Sequence, residues 1–104
     1  EYPPVSVEKK ILGGVAAHHG VTDIKFLDKL VDWGDIIRKT FYDGGIDEII
    51  STRRLVHIVR AYSIFNDKAK AIQVCVNRFD DETKQAFLEL YDKVDADVDI
   101  TELG

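Results

Sequence analysis

The chain has 104 residues, 45% hydrophobic and 32% charged, with a net charge of −5. That is the composition of one soluble globular domain rather than a disordered segment, and its acidity argues against non-specific binding to DNA or anionic membrane. No apolar run approaches the roughly 18–20 residues of a membrane span, and the single cysteine, Cys75, excludes an internal disulfide and fits a reducing, cytoplasmic compartment.

The chain opens on Glu1 with no signal-peptide pattern, so it reads as a piece of something longer. Pro3 and Pro4 hold the start extended. Ser6 is the expected cap of a first helix, with Val7, Ile11, Leu12 and Val15 as its apolar stripe. Gly13 and Gly14 soften that helix or allow close packing, and Gly20 is its expected stop. Thr22 or Asp23 starts a second, longer helix. Leu27, Leu30, Val31, Gly34 and Ile37 form its buried stripe, with Ile24, Trp33 and Phe41 at the edges. Lys29, Asp32, Asp35, Arg38 and Lys39 fall mostly on the opposite, polar side. Asp43, Gly44 and Gly45 end it.

Residues 46–50 read either as a loop with an apolar anchor or as one extended segment. Ser51 is a strong N-cap for a third, central helix whose apolar face is Leu55, Val56, Ile58, Val59 and Tyr62. Asn66 breaks that helix and Asp67 caps a short fourth one carrying Ala69, Ile72, Val74, Cys75 and Val76. Asp80 or Asp81 caps a last helix with Phe87, Leu88, Leu90, Tyr91 and Val94 on its apolar side. Residues 95–104 are acidic and aperiodic, the pattern of a flexible tail. The expected fold is a single all-α bundle of about five helices over residues 1–94, with no sheet.

Most candidate chemistry is weak. Cys75 sits in an apolar helical context and reads as a buried, inert thiol. His18 and His19 are adjacent, so their side chains diverge by about 100° and are poorly placed to share a metal. His57 reads as a core or edge histidine. Asp80, Asp81 and Glu82 are explained by helix capping and the helix dipole. Gly44 and Gly45 lack the Lys and Ser/Thr of a phosphate-cradling loop.

Charge distribution is more informative. Residues 51–70 carry Arg53, Arg54, Arg60, Lys68 and Lys70 against Asp67 alone, between acidic flanks. Two arginines in the first turn of a helix oppose the dipole, which favours acids there. Together with the exposed N–H groups of that turn they make a candidate anion site. The competing reading pairs these arginines with local carboxylates.

Ile50-Ser51-Thr52-Arg53-Arg54-Leu55, followed by an apolar helix, resembles the sensor-2 segment in the lid of AAA+ ATPases. The likeness is to the cobaltochelatase-type ATPase subunit and its MoxR-like relatives, with Thr52 standing where proline is common. Tyr2-Pro3, then Glu8 and Ile11-Leu12, resembles the passage from the last core strand into the first lid helix. Residues 61–67 and 76–80 also look like the cobaltochelatase-type lid. The resemblance covers about residues 1–94. It implies a C-terminal lid of a hexameric, ring-forming ATPase that uses ATP and Mg²⁺. Its partners would be the AAA+ core domain of the same chain, neighbouring ring subunits and chelatase subunits, with no nucleic acid and no membrane. The cobaltochelatase case implies cobalt insertion during cobalamin biosynthesis. Arg53 aligns with the sensor-2 arginine, the implied catalytic residue. Arg54 is its register alternative, Ser51 caps the helix, and Tyr2, Pro3 and Ile11 would line the adenine side. The nucleotide-hydrolysing motifs would precede Glu1, so the fragment alone should neither bind a cofactor tightly nor hydrolyse ATP. The alternative is a stand-alone helical protein-interaction module with no nucleotide role.

Overall fold

Pro4, rather than Ser6, precedes the first helix as its N-cap. Its carbonyl accepts hydrogen bonds from the Val7 and Glu8 N–H groups, and it occupies the N-cap of α1, Val5–His18. Ser6 lies inside the first turn, exposed, and makes no cap. The computed structural model describes residues 4–46 and 48–94; Tyr2, Pro3 and the acidic stretch 95–104 lie outside the described residues.

The buried face of α1 is Glu8, Leu12 and Ala16, while Val7 and Ile11 are 42% and 40% exposed. The apolar stripe expected there is thus rotated, because a carboxylate occupies the inward position. Gly20 stops the helix at φ +75°, with the Val21 N–H bonded to the Ala16 carbonyl and the Gly20 N–H to that of Ala17. That is the pair of bonds of a Schellman stop, and it needs the left-handed conformation glycine adopts freely. At Gly13 and Gly14 an added Cβ would meet nothing within 4 Å. These glycines therefore serve no close packing. Gly13→Ala and Gly14→Ala are each expected to stabilise the fold by about 0.5–1 kcal/mol, read as a raised midpoint in urea denaturation. A lowered midpoint would show a packing role.

Four more helices follow: α2 (Ile24–Tyr42), α3 (Thr52–Phe65), α4 (Lys68–Val76) and α5 (Asp81–Val94). Each start is capped as the local sequence requires. The Asp23, Asp67 and Asp80 carboxylates accept from the Phe26, Lys70 and Thr83 N–H groups, and the Ser51 hydroxyl accepts from Arg54. Asn66 ends α3 in the left-handed conformation at φ 56°. Residues 46 and 48–50 form a loop without regular structure, anchored by the fully buried Ile50.

Helices α1, α2 and α3 pack against one another, α4 lies on α3, and α5 docks on α2 with a smaller contact to α4. Covered on several flanks, α2 buries a wider arc than its sequence stripe. Trp33 is fully buried rather than at an edge, Arg38 is buried rather than on the polar side, and Ile24 is 66% exposed. At Gly34 an added Cβ would come within 3.2 Å of a Leu55 methyl, which marks the close approach of α2 and α3. In α4, Val74 is exposed and Gln73 takes the inward place.

Candidate functional site

The start of α3 is held by a buried polar network. Both guanidinium Nη atoms of Arg38 donate to the two carboxylate oxygens of Glu8, at 2.9 and 2.8 Å. Arg38 Nε and Nη2 also donate to the Ile50 carbonyl, at 3.2 and 3.1 Å. The Thr52 hydroxyl donates to Glu8 Oε2 at 2.6 Å. α1, α2, the incoming loop and the first residue of α3 thus meet at one carboxylate–guanidinium pair. The threonine at position 52 has a purpose here, since proline offers no hydroxyl to Glu8. Ile50 and Thr52, on either side of Ser51, are therefore fixed by groups 12 and 44 positions away in sequence.

From this anchored start, Arg53 and Arg54 project from the second and third positions of α3. Ser51, Arg53, Arg54, His57 and Arg78 line an open groove of about 590 Å³. Arg78 arrives from the turn after α4, where its N–H bonds back to the Cys75 carbonyl. Among the described residues none of Arg53, Arg54 and Arg78 forms an ion pair. Among the described residues, the alternative in which the arginines neutralise local carboxylates is not realised. The groove combines three guanidinium groups with the N–H groups and positive dipole end of α3, inside a chain of net charge −5.

The two adjacent arginines differ in freedom. Arg54 is half-buried, with its guanidinium 4.9 Å from the centroid of the Phe79 ring, a cation–π contact. Phe79 in turn packs edge-on against Phe87. Arg53 is exposed. One arginine is thus planted and its neighbour is free to reach.

Other expected site residues are placed differently. Ile11 lies on the exposed side of α1 and does not line the groove, while Tyr2 and Pro3 lie outside the described residues. Of the two places expected for His57, core or edge, it takes the second, exposed on the groove wall. Cys75 is buried as expected. Burial pushes its thiol up to about 11, against the opposing influence of Arg54 and Arg78, so it is unreactive near neutral pH. His18 and His19 are both exposed, and no group of three or more potential metal ligands occurs among the described residues. No described helix is long and apolar enough to cross a membrane. Sequence reasoning did not place Arg78 in the site and did not pair Glu8 with Arg38; Arg78 lies just beyond the basic stretch 51–70.

The family model described as CbbQ/NirQ/NorQ C-terminal matches residues 8–94. No curated protein and no solved structure matches the chain.

Proposed function

The chain belongs to the CbbQ/NirQ/NorQ C-terminal family, a MoxR-like lid family of AAA+ ATPases, and from that premise we propose that it is a nucleotide-responsive lid whose sensor-2 residue is Arg53. The family implies association with a AAA+ core domain of the same chain. The observation that carries the reading is the cationic groove at the start of α3, free of carboxylates among its lining residues. Its donors suit the terminal phosphates of ATP, whereas its lining offers Mg²⁺ no carboxylate, so the core would hold the ion. ATP bound there would supply the phosphoryl group whose transfer drives remodelling.

Arg53 is exposed and ahead of a rigid helix start, so its guanidinium can approach a γ-phosphate when the lid closes on the core. It would offset the charge that develops on the equatorial oxygens during phosphoryl transfer. Arg54, fixed on Phe79, is better suited to shaping the wall of the groove than to moving with nucleotide state. Glu8, Arg38 and Thr52 hold the first turn of α3 in place, so movement of α1 would carry Arg53 with it. A hexameric ring and cobalt insertion into a corrin precursor are the most specific versions of this reading, taken from the likeness to the cobaltochelatase subunit. Cobalt-dependent complementation of a chelatase-deficient strain tests the latter.

Arg53→Ala in the full ATPase is expected to leave the fold intact and to lower turnover by about 100-fold or more, the scale of a lost transition-state charge contact. Unchanged turnover would overturn the role given to Arg53. The isolated chain is expected to bind ATP only weakly, because the adenine wall and most phosphate ligands belong to the core.

A further inference from the structure

We propose that Arg54, His57 and Arg78 form a phosphate-binding pocket between α3 and the turn after α4, with Arg78 as the residue that completes it. The proposal deepens the reading of the groove as a phosphate site and rests on it. A smaller recess of about 40 Å³, lined by Arg54, His57, Arg78, Val74 and Cys75 among others, opens off the same wall. Arg54, His57 and Arg78 border both the recess and the groove. They come from two separate elements, 24 residues apart at the extremes, and only the packing of α4 on α3 brings them together.

The chemistry favours a phosphoryl oxyanion. A carboxylate is satisfied by one bidentate arginine. Here two guanidinium groups and an imidazole converge, with no carboxylate among the lining residues to neutralise them. That donor count suits the several oxygens and higher charge of a phosphate group. The Phe79 ring beneath Arg54 restricts one guanidinium in advance, which lowers the entropy lost on binding. Ile58 and Ala71, both buried, give the recess an apolar lining that strengthens the charge interactions beside it.

The test is an NMR titration of the 104-residue chain with inorganic phosphate and, separately, acetate at equal ionic strength. Phosphate is expected to give saturable shifts centred on residues 54–57 and 75–79, and acetate much smaller ones. Arg78→Gln should weaken phosphate binding about tenfold while leaving the remaining backbone shifts in place, since Arg78 is exposed. Arg60→Gln removes the same charge from α3 outside the groove and should leave binding within about twofold. Equal weakening by Arg60→Gln, equal response to acetate, or no response at Arg78 would each overturn the pocket. Failure of the lid reading would instead show as unchanged turnover in the Arg53→Ala ATPase, an assay that does not involve Arg78.

Discussion

Glu8→Ala is expected to destabilise the domain by about 3–5 kcal/mol, and Arg38→Ala by a similar amount. Each leaves a buried charge without its partner: Glu8 is fully buried and the Arg38 side chain 8% exposed. Against a total stability of about 5–15 kcal/mol for a domain of this size, either loss depopulates the folded state severely. The pair is also coupled to two further groups. Without Arg38 the Ile50 carbonyl loses both guanidinium donors, and without Glu8 the Thr52 hydroxyl loses its acceptor. The double variant Glu8→Leu with Arg38→Met should be less damaging than either single alanine change, because no charge is left buried. Urea denaturation of the wild type, the two single alanine variants and the Glu8→Ala/Arg38→Ala double variant closes the cycle. A coupling energy below about 0.5 kcal/mol would show that the two residues act independently and would remove the network as the anchor of α3.

The same pair marks where sequence reading stops. Caps are local, so Ser51, Asn66 and Asp67 could be read directly from residue type and spacing, and Asp23 and Asp80 each as one of two adjacent candidates. Five helices followed from those punctuation marks and from the apolar periodicity of α2, α3 and α5. Glu8 and Arg38 are 30 positions apart, and each looks like an ordinary solvated charge on its own helix. Only the tertiary meeting of α1 and α2 makes them an inward-facing pair, and this displaced Val7 and Ile11 from the inside of α1. The groove divides in the same way. Ser51, Arg53 and Arg54 are contiguous and visible as an electrostatically unfavourable helix start. His57 joins them by helical spacing, four residues on from Arg53 and three from Arg54, whereas Arg78 arrives through the packing of α4 on α3, which no local pattern records.

Trp33→Ala is expected to cost about 3–5 kcal/mol, and its effect should fall first on α5. Trp33 is fully buried, its indole N–H donates to the Phe87 carbonyl at 2.9 Å, and its ring packs edge-on against Phe87 and Tyr91. These contacts join the middle of α2 to the apolar face of α5. Other described attachments of α5 are the Lys29 bond to the Val94 carbonyl, the packing of Phe79 on Phe87 and a small contact with α4. By contrast α1, α2 and α3 cross-brace one another and keep the Glu8–Arg38 pair. Removing the indole should therefore lower the opening free energy of α5 more than that of the other helices, a sub-global unit rather than a uniform loss. Hydrogen exchange of the Trp33→Ala chain should show α5 amides losing protection ahead of those in α1–α3. Trp33→Phe keeps a ring in the site and loses the hydrogen bond, and is expected to cost about 1–2 kcal/mol. Equal loss of protection in all five helices would mean that α5 opens only with the whole domain. A selective loss would make α5 the segment most easily released, and because Phe79 bridges α5 to Arg54, its release would also loosen one wall of the basic groove.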